Sequence, residues 1–336
     1  MSADARADAG FPDATPGDQG FPDTGVHPDA TPGDTGEHAD ATAPGAGEIS
    51  GVKAVGEMLP SPLDAVPSPD GTKVYFTAFS SSRIGSVYSV GQDGMGQTEL
   101  ATGLAAPESI VVSRDDTKLF VADTMVEVPT DALGVIYSLS TGGGALSEMA
   151  STRGYRPRSL DLAEPADAEV LYFTGTDPAD GADGIFKIPA AGGSVTIVAK
   201  GSPLWAPSGV AVASNGTVYV AVTDGMPGIY RVSGATVEPF VVPMNLGYPA
   251  GIALTQSQSH LLVSGLTAAK TAVVYRVRLD DKQIEPIDSG ISQNTESGGV
   301  HRAHGVDRYA WADCDDVRPG GRGGTVYLLG TQASPL

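Results

Sequence analysis

The chain has 336 residues, 41% of them hydrophobic, with 44 glycines, 25 prolines, one cysteine and a net charge of −20. Such acidity opposes nucleic acid and anionic membrane surfaces, which are repelled over a Debye length of roughly 10 Å. With Cys314 alone no intramolecular disulfide can form, and no run of about 18 apolar residues is present to span a bilayer as a helix.

The first 48 residues carry eight aspartates and two glutamates against Arg6 alone. Pro-Asp-Ala-Thr-Pro-Gly-Asp occurs at Pro12 and again at Pro28, and Gly-Phe-Pro-Asp at Gly10 and Gly20. Phe11, Phe21 and Val26 offer too little apolar surface to offset the entropy of ordering this stretch. Residues 1–48 are therefore expected to be a disordered acidic leader, and residues 49–336 one folded domain. Met1-Ser2-Ala3-Asp4 has neither the basic start nor the apolar stretch of a signal peptide. The leader resembles the Pro/Gly/Asp tether that follows the lipidated cysteine of bacterial surface lipoproteins. That resemblance implies a cell-envelope or extracellular address, with a lipid anchor upstream of residue 1.

From residue 49 onward a short apolar strand with a central aromatic recurs six times, centred on Tyr88, Tyr137, Phe186, Tyr230, Tyr275 and Tyr327. The aromatics lie 44 to 52 residues apart, the length of one four-stranded propeller blade. The spacing predicts an all-β, six-bladed β-propeller. Inner strands are expected after Pro62, Pro107, Pro157, Pro207 and Pro249, and at Ser297 in the last blade, because proline ends the preceding strand and sets the entry angle. Second strands follow at Val74–Thr77, Leu119–Ala122, Leu171–Thr174, Val218–Ala221, Leu261–Ser264 and Tyr309–Ala312, as continuous apolar runs suited to burial on both faces. Outer strands are read near Glu99, Leu146, Val195, Val237 and Ile284. A sixth is lacking after Leu329, whereas Val52–Glu57 has the right pattern ahead of the first blade. This N-terminal strand is expected to complete the last blade and leave no open edge.

Tyr75-Phe76-Thr77-Ala78, Phe120-Val121-Ala122-Asp123, Tyr172-Phe173-Thr174-Gly175 and Ala310-Trp311-Ala312-Asp313 resemble degenerate forms of the Tyr-Trp-Thr-Asp (YWTD) repeat of lipoprotein-receptor propellers. The Pro-x-Gly-Ile-Ala entry and the run from Gly184 to Gly193 are similar to bacterial NHL and SMP-30/gluconolactonase-like propellers. The resemblance covers residues 52–331 and concerns the fold. In the gluconolactonase-like enzymes it implies a divalent metal held by Glu, Asn and Asp near the residue after the entry proline. Here those positions are Leu63, Glu108, Arg158, Ser208, Ala250 and Gly298, a set with one carboxylate and one guanidinium.

The ends of the second strands reach the same rim, where Glu108 and Asp123 of blade 2 are expected to meet, with Arg158 nearby and Asp313 in blade 6. These four are the candidate ligand-binding residues of the channel mouth. The competing reading makes Glu108 and Arg158 a structural ion pair, with Asp123 and Asp313 bonded to neighbouring backbone. Asp177, Asp180 and Asp183 lie three apart beside two glycines and are weak candidates for calcium; no other cofactor is indicated. His301 and His304 straddle a strand and its turn, which favours packing over metal ligation. The carboxylates after Cys314 raise its thiol pKa and argue against a nucleophile. The longest loops on this face are Thr124–Leu133, Thr176–Asp183 and Cys314–Gly324, the last adding Arg318 and Arg322. The sequence thus reads first as a non-catalytic cell-envelope module that presents its loop face to a protein or small polar ligand. A metal-dependent hydrolase of lactones or esters is the alternative.

Overall fold

The computed structural model describes residues 49–59, 61–80, 82–125, 134–163, 168–287, 292, 294, 296–314, 324–331 and 334–336. The leader, the tips of the blade 2 and blade 6 loops, and Arg318 and Arg322 lie outside the described residues.

Six four-stranded antiparallel sheets stand around one axis. Blade 1 is β2 (Pro62–Pro67), β3 (Lys73–Phe79), β4 (Gly85–Gly91) and β5 (Thr98–Leu104). Blade 2 is β6 (Pro107–Val112), β7 (Lys118–Asp123), β8 (Val135–Ser140) and β9 (Ser147–Glu148), and blade 3 is β10 (Ser159–Ala163), β11 (Val170–Thr176), β12 (Asp183–Pro189) and β13 (Thr196–Lys200). Blade 4 is β14 (Pro207–Val212), β15 (Val218–Val222), β16 (Gly228–Ser233) and β17 (Thr236–Val241), and blade 5 is β18 (Ile252–Leu254), β19 (His260–Leu266), β20 (Ala272–Arg278) and β21 (Ile284–Ile287). Blade 6 joins β22 (Val300–Arg302), β23 (Arg308–Asp313) and β24 (Gly324–Thr331) to β1 (Ile49–Leu59), which lies on β24 with Val52 opposite Leu329 and Ala54 opposite Tyr327. The N-terminal strand closes the ring as its apolar pattern predicts.

Each pair of neighbouring blades shares its own apolar cluster, and strand alternation explains why the second strands are apolar throughout. Val74, Phe76 and Ala78 pack towards blade 6, while Tyr75 between them packs towards Ile110 and Leu119 of blade 2. In blade 3, Phe173 and Phe186 stack within a cluster with Phe120 of blade 2. Each such fully buried aromatic contributes on the order of 1.5–3 kcal/mol.

The inner strands are also stitched to one another by polar atoms. Asp64 Oδ2 accepts the Ile110 N–H at 2.9 Å, Ser109 Oγ accepts Leu160 N–H at 3.0 Å, Ser159 Oγ accepts Val210 N–H at 3.3 Å, and Ser208 Oγ accepts Ala250 N–H at 2.8 Å. Four junctions are thus bridged by a side-chain oxygen on a neighbour's backbone. The junctions on either side of blade 6 instead bring backbone against backbone. Gly299 N–H reaches Leu63 O at 2.9 Å, and a Cβ on Gly251 would lie 2.2 Å from Val300 N. Gly251→Ala is therefore expected to cost at least about 2 kcal/mol by overpacking a site that backbone lines on the far side. An unchanged thermal midpoint in that variant would show that blades 5 and 6 can move apart.

Candidate functional site at the channel mouth

Pro62, Pro107 and Pro207 are the first residues of their inner strands. In each of these strands the register slips by one residue just after the proline, so that Leu63, Glu108 and Ser208 are the extra, bulged residues. A bulge re-aims its side chain: Glu108 is turned to the channel mouth, whereas Ser208 Oγ reaches the Ala250 N–H of the next blade.

Glu108 is half-buried there, and its Oε2 accepts the Tyr248 hydroxyl at 2.8 Å. Blades 2 and 5 are opposite one another in the ring, so this bond crosses the mouth. Burial pushes the Glu108 carboxyl up, partly offset by the hydrogen bonds from Tyr248 and Thr124 and by the charges of Arg158 and Arg156. The Tyr248 hydroxyl is raised in turn by burial and by the Glu108 charge.

Arg158 does not pair with Glu108. Its guanidinium bonds Asp183 Oδ1 at 3.1 Å and Thr176 Oγ1 at 3.4 Å, partners in its own blade that β11 and β12 bring within reach. The expected Glu108–Arg158 ion pair is replaced by two separate contacts. Nor do Glu108 and Asp123 meet. Asp123 ends β7 opposite Pro107, and its carboxylate turns outward to accept the backbone N–H groups of Ala105 at 3.0 Å and Ala106 at 2.6 Å. Asp313 is the counterpart in blade 6, buried and accepting the Ser292 hydroxyl at 2.8 Å. Both aspartates hold the connection that leads into their blade from the one before. Asp183 does the same for blade 4 through the Ala206 N–H at 2.8 Å. Of the four candidates, Glu108 and Arg158 therefore face one mouth, while Asp123 and Asp313 serve the blade connections.

The three aspartates considered for calcium do not converge. The Lys200 ammonium sits between Asp177 at 2.5 Å and Asp180 at 2.9 Å, and Asp183 is turned to Arg158. Among the described residues no group of three or more His, Cys, Asp or Glu side chains has metal-holding geometry. At the mouth a divalent ion requires roughly six to eight oxygen ligands, and the ring of Leu63, Glu108, Arg158, Ser208, Ala250 and Gly298 supplies one carboxylate and one hydroxyl already bonded to Ala250 N–H. That donor set, with a guanidinium in the next blade, does not fit a catalytic metal.

Below the mouth lies an ion pair absent from the sequence reading. His301 Nε2 meets Asp64 Oδ2 at 2.7 Å with the two residues 5% and 1% exposed, and the same oxygen accepts the Ser109 hydroxyl at 2.7 Å. The charges of Asp64 and Asp161 raise the imidazole against the opposing effect of burial, which is the largest single influence on it. Asp161 is itself pushed up by burial, relieved by Arg302 and by the Val212 N–H. His304, one turn on, is driven the other way by burial and by the positive charges of Arg302, Arg114 and His301, to about 3. The Cys314 thiol is buried against Pro62 O at 2.7 Å and pushed well up by burial and by Asp313, as its neighbours suggest. Tyr248 and Asp64 had signals of their own. Tyr248 directly precedes an entry proline, and Asp64 begins the series of small polar residues that continues at Ser109, Ser159 and Ser208.

No family model matches the chain, and no curated protein is similar to it. Solved structures show the fold. A gluconolactonase from Xanthomonas campestris is 17% identical with a TM-score of 0.58, over 84% of this chain and 89% of that one. The crystal structure of a nidogen/laminin complex contains a chain that is 13% identical with a TM-score of 0.53, over 67% of this chain and 79% of that one. TolB from Acinetobacter baumannii is 13% identical with a TM-score of 0.53, over 69% of this chain and 55% of that one. The likeness thus extends to an enzyme and to a chain in a protein complex on the same architecture, and a shared propeller does not choose between them.

Proposed function

We propose that the chain is a non-catalytic binding module of the cell envelope, a six-bladed propeller on an acidic tether that presents its channel-mouth face to a partner. The observation that carries this reading is the state of the mouth. Its one ring carboxylate, Glu108, is engaged by Tyr248 from the opposite blade, its one ring cation, Arg158, is engaged by Asp183, and the remaining ring positions offer no metal donors beyond a committed serine. Catalysis by a bound divalent ion needs open oxygen ligands in that ring, and the chain spends those positions on contacts that hold blades in place. The envelope address is supported by the composition of residues 1–48 and their resemblance to lipoprotein tethers.

The competing reading is a metal-dependent hydrolase, favoured by the gluconolactonase among the fold neighbours. The purified chain is expected to leave gluconolactone and nitrophenyl esters unhydrolysed above the buffer rate, with or without added Ca²⁺ or Zn²⁺. Turnover that requires either ion and is lost in Glu108→Ala would establish the enzyme instead.

A further inference from the structure

Nine large apolar side chains are exposed among the described residues, and their distribution is uneven. Ile84, Met125, Trp205, Met226 and Tyr248 all lie on the channel-mouth face, in loops that join second to third strands or one blade to the next. Three of them stand in succession, as a row along the chain, on the loops that lead into, cap and leave blade 4. Trp205, in the loop before β14, is 52% exposed, Met226, between β15 and β16, is 63% exposed, and Tyr248, before β18, is 46% exposed. Backbone bonds link these loops: Asp224 N–H points to Trp205 O at 3.4 Å, and Met244 N–H, four residues before Tyr248, to Pro227 O at 2.9 Å.

The row is held in place before any partner arrives. Gly225 has a φ of +71°, and a Cβ there would stand 2.8 Å from Trp205 Cδ1, so the indole edge packs against a turn that favours glycine. Tyr248 is fixed at the other end by its bond to Glu108. Trp and Tyr are enriched in the energetic centres of protein interfaces, where a preordered aromatic loses little entropy on binding, and Met is enriched in interfaces generally, where it adapts its shape to the partner. The charge beside the Trp205 end of the row is negative, while Arg156 and Arg158 stand near Tyr248 at the other end. Asp177 and Asp180 share the single ammonium of Lys200 just ahead of Trp205, and the exposed Asp224 adds a further carboxylate next to the indole.

From this row and its charge we infer that the channel-mouth face docks a segment of a partner protein that is basic and carries a large apolar anchor, seated along Trp205, Met226 and Tyr248. The inference rests on the binding-module reading above and names its partner. Charge complementarity selects the occupant. A chain of net charge −20 with surplus carboxylates at the Trp205 end of the patch steers a basic segment to that end and repels an acidic one, and the outer face of an indole favours a guanidinium or ammonium of that segment.

The test is selection of a phage-displayed random peptide library on the immobilised full chain, followed by Kd measurement of synthesised winners. Winners are expected to carry net positive charge and at least one large apolar residue, and to bind more weakly as salt rises. Trp205→Ala is expected to weaken them by about thirtyfold or more, and Met226→Ser and Asp224→Asn by less. Met95→Ser, at the exposed Met95 between β4 and β5 on the other face, is expected to leave them unchanged. Met226→Ser and Asp224→Asn alter exposed side chains, so they read the interface even where Trp205→Ala perturbs its loop. Neutral or acidic winners, winners indifferent to the substitutions at Trp205, Met226 and Asp224, or a selection without winners would overturn the inference. So would neutral oligosaccharides that bind at Trp205 where no peptide does. Winners that survive Trp205→Ala but are lost in Arg158→Ala would overturn the row and leave the binding face standing, whereas winners lost only in Met95→Ser would overturn both.

Discussion

Replacing Asp64 with alanine is expected to lower the stability of the propeller by about 3–5 kcal/mol, the cost of breaking a buried ion pair by removing one partner. One carboxylate serves three blades. Its Oδ2 accepts from Ser109 and Ile110 in blade 2 and from His301 in blade 6, its Oδ1 accepts from Ala65 N–H, and Gly299 is pressed against it so closely that a Cβ would lie 1.8 Å from Oδ1. The alanine variant leaves an imidazole, a hydroxyl and backbone N–H groups buried without their acceptor. Asp64→Asn, which keeps the shape and one oxygen, is expected to fall between wild type and Asp64→Ala. Urea denaturation of the full chain measures both. If each stayed within about 0.5 kcal/mol of wild type, the range of an unremarkable surface substitution, the seam between blades 1 and 6 would have to be held by β1, the apolar cluster and the Gly299–Leu63 backbone bond without this carboxylate. The pH course of this pair has a definite sign. His301 is raised above its ordinary 6.5, so its contribution is fully present below pH 6.5 and is lost as pH rises through the higher folded value.

His304 carries the opposite dependence, and His304→Asn is expected to make the protein more resistant to acid. The native imidazole is lowered from 6.5 to about 3, so at neutral pH it is neutral in both folded and unfolded chains. As pH falls below 6.5 the unfolded chain takes up a proton that the folded chain refuses until about 3, and stability declines by up to about 1.4 kcal/mol per pH unit on this account. Arg302, Arg114 and His301 face the group, and Asp161 beside them moves the other way, since burial raises its carboxyl and its protonation favours the fold. Comparing His304→Asn with wild type cancels the Asp161 contribution. Urea midpoints measured at steps between pH 7 and pH 4 should diverge, with the variant gaining as pH falls. Parallel curves would mean that His304 charges freely in the folded state.

The ring of the fold was legible because its signals are local and repeated. A central aromatic about every 48 residues, an entry proline, and a second strand apolar at every position each report on a few consecutive side chains. Six repeats let weak examples such as the two-residue β9 be placed by analogy with strong ones. Closure by Val52–Glu57 followed from counting outer strands, and β1 lies on β24 as that count requires.

The candidate site was legible only in its address. The position after the entry proline was recognised, and the bulge at Glu108 explains why that side chain is turned to the mouth. Its contacts were not. Glu108 and Arg158 are one blade apart and of opposite sign, which suggests a pair, yet Glu108 finds Tyr248, 140 residues away, and Arg158 finds Asp183. Asp64 and His301 are separated by 237 residues and share one hydrogen bond. Periodicity and residue pattern by themselves determined that this chain makes six blades and closes them with its N-terminal strand, because those properties are sums over local patterns and residue types. Which polar atoms meet across the axis was decided by tertiary structure alone. Ring closure brings the first and last blades together and lets the Tyr248 side chain reach Glu108 across the axis, and a hydrogen bond is made or lost over tenths of an ångström that no spacing along the chain encodes.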